Sequence, residues 1–262
     1  MSIVSLKDLY FSYEDGSEVL EGVDLCLDRG TISVLMGPSG AGKTTLLRII
    51  NLLEDPTSGE VVHQFKGHSN EGKHDLLSLR RKMGFVFQEP ALFDSSVGGN
   101  VAYGLMARGG FLNHFLERVK KIVPFLKSNY SEVEEKVGRA LNRVGLEGFQ
   151  DRHVRSLSAG EHRRVTLARS LVTEPEMLLL DEPTGNLDPR NTAVVEEIIR
   201  EVRSRETTIF LASHDMHQAK RVGEDVFLLL NGDIVEGGPA ERVFDSPEDR
   251  RTADFINGKL VC

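Results

Sequence analysis

Cysteine is scarce in this chain: its 262 residues hold only Cys26 and Cys262. Two thiols so far apart supply neither a disulfide framework nor a zinc site, and they read as reduced thiols in a cytosolic setting. Long apolar runs are missing as well. The longest, such as residues 177–180 and 226–230, fall far short of the roughly 20 residues a spanning helix needs. The opening residues, MSIVSLKD, lack the basic segment followed by an apolar one that marks a secretory leader. A soluble chain is expected, whose contact with any membrane passes through a partner. Basic surplus is also lacking, since 32 Lys and Arg against 40 Asp and Glu leave a formal charge of -8. That balance disfavours a sequence-independent nucleic-acid binder, although a small basic patch can hide in an acidic total. There are no internal repeats and no long low-complexity tracts.

What remains is ordinary globular material, 40% hydrophobic and 27% charged, long enough for one large domain or two modest ones. Short apolar runs bounded by turn residues predict strands at 3–9, 22–27, 31–36, 84–87, 177–180, 208–212 and 226–230. Helical patterns lie between them, at 44–53 after a glycine loop and at 161–172 after Ser158, a candidate N-cap. In 192–204, Val195, Ile198, Ile199 and Val202 recur on one helical face. Alternating strands and helices predict a mostly parallel sheet covered on both sides. The turns Glu14-Asp15-Gly16 and Asp28-Arg29-Gly30 make the first strands antiparallel, so a mixed sheet is expected. Residues 101–145 are nearly all helical in pattern, interrupted by Gly109-Gly110 and Pro124, and read as a helical subdomain inserted in the α/β core. The polar stretch GHSNEGK at 67–73 reads as a surface loop.

Three features carry chemistry. Gly37-Pro38-Ser39-Gly40-Ala41-Gly42-Lys43-Thr44, followed by Thr45, matches G-x-x-x-x-G-K-T between an apolar strand and a helix. Glycines let backbone N–H groups turn inward around a polyphosphate, and the helix N-terminus adds positive potential. Lys43 is expected on the β- and γ-phosphates and Thr44 on Mg²⁺. The plain alternative is a glycine-rich strand–helix joint. Second, the apolar run at 177–180 delivers Asp181 and Glu182 to the end of a strand, where ligands bind in open α/β sheets. Asp181 can hold Mg²⁺ through water and Glu182 can polarise an attacking water, or the pair is a solvated loop entry. Third, Leu157-Ser158-Ala159-Gly160-Glu161 opens a helix with a hydroxyl and free N–H groups for an anion, or is a simple cap.

Together these residues resemble the ABC ATPases, whose signature LSGGQ the third feature approaches. The resemblance spans nearly the whole chain. Tyr13, ahead of Gly16 and Val19-Leu20, is similar to the aromatic that stacks on adenine. Gln88 matches the Q-loop glutamine, Asn186-Leu187-Asp188 the D-loop, and His214 in Ala212-Ser213-His214-Asp215 the switch histidine. It implies a P-loop NTPase (RecA-like) α/β core with a mixed sheet, an antiparallel β subdomain and an inserted α-helical subdomain. The core would take 1–90 and 156–262, and the helical subdomain 91–155 with the signature at its end. It further implies ATP and Mg²⁺ as cofactors. The nucleotide set is Tyr13, the glycine loop through Thr45, Ser158, Ala159, Gly160, Glu161 and Asp188, with Thr44, Gln88 and Asp181 on the metal. Glu182, His214, Gln88 and Lys43 would be catalytic. Two copies would close head to tail, the signature serine of one completing the site of the other.

Three departures stand out. Ala159 replaces a signature glycine and is tolerated unless that position needs positive φ. Glu161 replaces glutamine. The helical region is long, with 108–130 as the extra piece, where Phe111, Leu112, Phe115, Leu116, Val119, Ile122 and Val123 form a local hairpin core or a partner surface. His63, His68 and His74 fit no common metal spacing and are assigned to a polar loop. The stretch 245–251 reads as a solvated helix or loop.

The expected activity is ATP hydrolysis that drives an integral-membrane permease from the cytoplasmic face of the cell membrane. The stretch 157–189, the residues after Ser213 and the tail 252–261 resemble ATPases of tungstate and phosphate importers, which also work with a solute-binding protein. The alternatives are an exporter or cell-division ATPase with the same core, and a soluble ABC ATPase of nucleic-acid maintenance. The last would carry a long heptad insertion or two ATPase halves, so no nucleic-acid partner is expected. The elements use the chain essentially to its last residue, so no separate C-terminal regulatory domain is expected. Apolar residues at Ala91, Leu92, Phe93, Val97 and Tyr103, beyond Gln88, read as a groove for a permease helix or as packing within the helical region.

Overall fold

A computed structural model describes residues 1–66, 76–89, 91–108 and 126–259. The expectations for 67–73, Gly109-Gly110, Pro124, His68, His74 and the last three residues lie outside these, as does most of the extra helical piece. Two compact units divide the chain. The first comprises Met1–Phe85, Glu176–Pro183 and Ile199–Cys262, and the second Val86–Pro175 and Thr184–Ile198.

The first unit holds the expected antiparallel β subdomain and a separate mixed sheet. β1 (Ser2–Ser12), β2 (Glu18–Asp28) and β4 (Ser58–His63) form an antiparallel three-stranded sheet in the order β2-β1-β4. The second sheet runs β5-β6-β7-β3-β8-β9, with β5 at Met83–Val86 and β3 at Ile32–Met36. β6 is Met177–Asp181, β7 Thr208–Ser213, β8 Asp225–Leu230 and β9 Asp233–Pro239. β3 pairs in parallel with β7 and β8, β6 pairs in parallel with β7, and β9 pairs antiparallel with β8.

The reason lies in the patterns. Every residue of β3, β6 and β7 is buried, as continuous apolar runs require in a sheet covered on both faces. β1 and β2 mix buried and exposed positions, so they suit a sheet with one wet face. The core gathers Leu35, Leu46, Ile50, Leu179 and Phe210 with inward residues of β1 and β2 such as Leu9, Leu20 and Leu27. Each such side chain contributes about 1.5–3 kcal/mol when fully buried.

Two strands escaped the sequence reading. β4, SGEVVH, is short and half-polar. β9, DIVEGGP, carries Gly-Gly-Pro, which reads as a turn. Its signal was nonetheless present: Asn231 and Gly232 have φ of 49° and 80°, the Asn-Gly two-residue turn that joins hairpin strands. His63 belongs to β4 and not to a polar loop. It is buried, its Nε2 lies 2.8 Å from Ile50 O, and its ring stacks on Phe65 at 5.7 Å.

The helices of the first unit are α1 (Lys43–Ile50), α2 (Leu76–Arg80), α7 (Met216–Val222), α8 (Ala240–Asp245) and α9 (Arg250–Ile256). In the second unit α3 (Val97–Arg108), α4 (Leu126–Arg143) and α5 (Ala159–Leu171) pack on one another. Their buried residues include Val97, Val101, Val137, Leu141, Val165 and Leu167. α6 (Pro189–Ser204) begins in the second unit and ends in the first. Among the described residues no helix is long and apolar enough to cross a membrane.

Candidate nucleotide site

β3 ends at Met36 and α1 begins at Lys43, so the glycine loop bridges a buried strand and a helix N-terminus. Gly42 is the N-cap of α1 with φ 101° and makes no side-chain cap bond. A Cβ there would come within 3.0 Å of Leu20 Cδ2 and Val19 O. Both the backbone sign and the space therefore require glycine. With no side chain capping it, the first turn keeps its N–H groups for an anion.

Lys43 is 6% exposed, and its Nζ donates to Gly37 O at 2.7 Å and Pro38 O at 2.8 Å. Burial lowers its pKa, while Glu182 and Asp181 oppose that shift. The third donor direction faces Glu182 Oε1 at 3.9 Å. The ammonium thus braces the loop from inside. Thr44 Oγ1 donates to Asp181 Oδ2 at 2.9 Å.

Asp181 ends β6. Its Oδ1 is buried and has no hydrogen-bond partner, an orphaned carboxylate oxygen of the kind that calls for an explanation. Beside it lies a threonine hydroxyl. Carboxylate and hydroxyl oxygens are the ligands a hard divalent cation prefers, so the residues present fit Mg²⁺. Burial, the largest influence, raises the Asp181 pKa. Thr44 pulls it down, Glu182 adds to the rise, and Lys43 opposes it.

A carboxyl whose folded pKa exceeds its unfolded value stabilises the fold while protonated. That contribution is lost as pH rises from the unfolded value through the folded one. At neutral pH the ionised Asp181 is thus a net cost, and Asp181→Asn, which still accepts from Thr44, is expected to raise the nucleotide-free melting midpoint. Each kcal/mol recovered moves the midpoint by about 2–4 °C in a chain of this size. Differential scanning calorimetry checks this: a lower midpoint for the variant contradicts it, and a Mg²⁺-ATP stabilisation as large as in the wild type would remove Asp181 from the metal set.

Glu182 follows with φ 45°, a left-handed backbone on a non-glycine residue, held by its N–H to Ala212 O at 3.0 Å. Such backbone costs on the order of 1–3 kcal/mol and concentrates at functional sites. The Glu182 carboxylate faces His214 with one oxygen and Lys43 with the other. Oε2 meets His214 Nδ1 at 2.7 Å. His214 follows β7, just before Asp215, which caps α7 by accepting from His217 N and Gln218 N. Tyr13 is partly exposed, its ring edge-to-face with Phe11 at 4.9 Å and its hydroxyl 3.1 Å from Thr45 Oγ1. The first unit therefore brings together Tyr13, Gly37 to Thr45, Asp181, Glu182 and His214.

Gln88, Ser158 to Glu161 and Asp188 belong to the second unit. Ser158 is the N-cap of α5 and forms a capping box with Glu161. Its N–H and Oγ–H reach Glu161 Oε2 at 2.7 and 2.8 Å, and its Oγ accepts from Glu161 N at 3.3 Å. Ala159 is the exposed first residue of the helix, so its methyl group meets no backbone obstacle. Gly160 is buried, and a Cβ on it would lie 2.2 Å from Asn191 Oδ1. Asp188 accepts from Arg190 N and Asn191 N at 2.9 and 3.0 Å, and from Asn191 Nδ2 at 2.5 Å. Asn191 therefore touches both the signature and the D-loop aspartate, a link invisible in the separate motifs. Asn100 also escaped notice. It is fully buried and fixes the 93–96 turn by accepting from Phe93 N and donating to Phe93 O, Ser95 Oγ and Ser96 O.

A buried strand, an uncapped glycine turn into a helix and an orphaned carboxylate at the end of another strand of the same sheet define a P-loop nucleotide hydrolase. The chain belongs to the ABC transporter family, whose model matches residues 20–185, and it is an ATP-binding subunit whose ATPase activity is coupled to transport. It is 44% identical over 247 residues to the phosphate import ATP-binding protein PstB 2 of Natronomonas pharaonis, covering 94% of this chain and 84% of that one. It is 41% identical over 258 residues to a probable anion import ATP-binding protein of Haloferax volcanii, covering 98% and 88%. Among solved structures it is similar to cbiO1 of Clostridium perfringens, part of an ABC transporter complex. The TM-score is 0.77 at 30% identity, over 97% and 94% of the two chains. A dimeric ATP-binding cassette in a post-hydrolysis state with ADP and Pi gives 0.73 at 28% identity, over 90% and 98%.

Proposed function

We propose that this chain is the motor of an importer for an inorganic oxyanion such as phosphate or tungstate, working as an ATP-dependent pair of copies on a membrane permease. The carrying observation is the 44% identity, over nearly the full chain, to a protein named for phosphate import. The protein named for anion import supports the same class.

On this reading Tyr13 stacks on adenine and the backbone from Gly37 to Thr45 wraps the phosphates. Lys43 exchanges its loop carbonyls for phosphate oxygens. Thr44, Asp181 and Gln88 hold Mg²⁺, which when bound neutralises charge on the transferring phosphoryl group. Glu182 takes the proton of the attacking water, and His214, already on Glu182 Oε2, fixes the carboxylate's direction and contacts the γ-phosphate region. Ser158 and Glu161 at the α5 N-terminus, with Asp188, serve the partner copy's nucleotide. Gln88 reports the state of the site to the permease. The subunit then sits on the cytoplasmic face of the membrane.

The permease-facing surface is assigned to Ala91, Leu92, Phe93 and Tyr103. Phe93 is 49% exposed, and its ring meets that of Tyr103 at 4.6 Å. Val97 is excluded, because it is fully buried in the helical core. Ala91→Glu is expected to leave folding and basal ATPase unchanged while abolishing co-purification with the permease. Early thermal unfolding of the isolated variant would sink the docking assignment. The transport reading is tested with the ATPase, its permease and its solute-binding protein in liposomes. Phosphate- or tungstate-loaded binding protein should stimulate ATP turnover and inward flux, whereas outward flux or indifference to every oxyanion contradicts the proposal.

A further inference from the structure

Two arginines of α5 reach back to the segment that carries Gln88. Arg163 is buried, 4% exposed, and its Nη1 and Nη2 donate to Phe87 O at 2.8 Å and Gln88 O at 2.5 Å. Six residues on, Arg169 Nη1 donates to Ala91 O at 2.7 Å. All of these residues lie in the second unit. Burying a guanidinium is costly, and a leucine would cover the same helix face without that cost. What arginine adds is a planar fork whose parallel N–H groups match two neighbouring carbonyls.

The place where the fork acts is informative. β5 ends at Val86, so Phe87 and Gln88 lie just beyond the strand's ladder. Arg163 supplies donors to the first two carbonyls after that point, and Arg169 to the third carbonyl beyond Gln88. The same helix is capped by Ser158, five residues before Arg163, about 7.5 Å along the axis. The backbone of Gln88 and the signature serine are thereby tied to one body.

We propose that Arg163, assisted by Arg169, is a positioning residue for ATP hydrolysis: it straps the Gln88 loop to α5 so that Gln88 and Ser158 move together. This rests on the roles given to Gln88 and Ser158 above. It assigns to the strap the passage of permease-driven loop movement to the signature serine.

The test is a double-mutant cycle on the full chain, read as steady-state ATPase with Mg²⁺-ATP. Arg163→Gln should lower kcat about tenfold, the scale of a lost charge-assisted hydrogen bond, with KM changed less than about twofold. Arg163→Lys should recover part of the loss because an ammonium can still donate to one of the two carbonyls, though without the planar fork. In a Gln88→Ala background the same substitutions should change kcat by less than about twofold, since the group being positioned is gone. Equal losses in both backgrounds, with Gln88→Ala itself impaired, would mean that Arg163 merely supports the core, and would overturn the proposal alone. Wild-type turnover by Gln88→Ala would remove the role of Gln88 and the proposal together. Amide hydrogen exchange keeps the strap testable apart from catalysis. Arg163→Lys should speed exchange of residues 87–91 severalfold while 97–108 stays protected. Unchanged exchange at 87–91 refutes the strap.

Discussion

Glu182→Gln is expected to lower ATP turnover by about 10²–10⁴, the usual range for loss of a general base. Glutamine keeps the length of the side chain and can still pair with His214 Nδ1, now 2.7 Å from the carboxylate. It inherits the same left-handed backbone, φ 45°, so direction is preserved and only charge and basicity are removed. Lys43 Nζ lies 3.9 Å from Glu182 Oε1. Removing that carboxylate leaves the ammonium freer to serve phosphate oxygens, so ATP affinity should hold or improve. With binding intact and hydrolysis slow, an ATP-bound dimer should accumulate in sedimentation velocity. Hydrolysis at the wild-type rate would transfer the base role to another group.

The second large effect concerns closure of the pair. Ser158→Ala in the Glu182→Gln background should abolish the ATP-dependent dimer while monomer affinity for ATP stays within about twofold of the parent. Serine here also caps α5, and losing a cap costs about 0.5–2 kcal/mol, so alanine alone confounds two roles. Ser158→Asn separates them. Asparagine restores a capping oxygen, and with it thermal stability, but lacks the hydroxyl donor and is larger. Loss of the dimer in both variants supports contact with the partner's nucleotide. A dimer retained in either double variant would contradict that role, and a dimer lost together with stability in the alanine variant but kept in the asparagine one would leave Ser158 as a cap only.

How much was legible in the sequence follows from the range of each interaction. The glycine loop, the apolar β6 strand ending in Asp181 and the capping box at Ser158 are local: their backbone conformations follow from residues within a few positions, so the motifs could be read directly. The continuous apolar runs of β3, β6 and β7 reported burial on both faces for the same reason. β4 escaped because its side chains are half-polar and its place is set by pairing with β1, a partner some fifty residues earlier. β9 escaped because Gly237-Gly238-Pro239 imitated a turn, although Asn231-Gly232 announced the hairpin.

The sequence by itself determined the nucleotide chemistry, because phosphate binding needs backbone turns and short-range side-chain sets that neighbouring residues impose. Only the tertiary structure decided which groups restrain those sets. Asn191 against Gly160, His214 on Glu182 and Arg163 on the carbonyls of Phe87 and Gln88 join positions distant in the chain. One trace of the last was readable: Arg163 stands four residues before the buried Leu167, on the apolar face of α5, where a charge is out of pattern. What it holds could not be read, since a buried guanidinium's partners are fixed by packing and not by spacing.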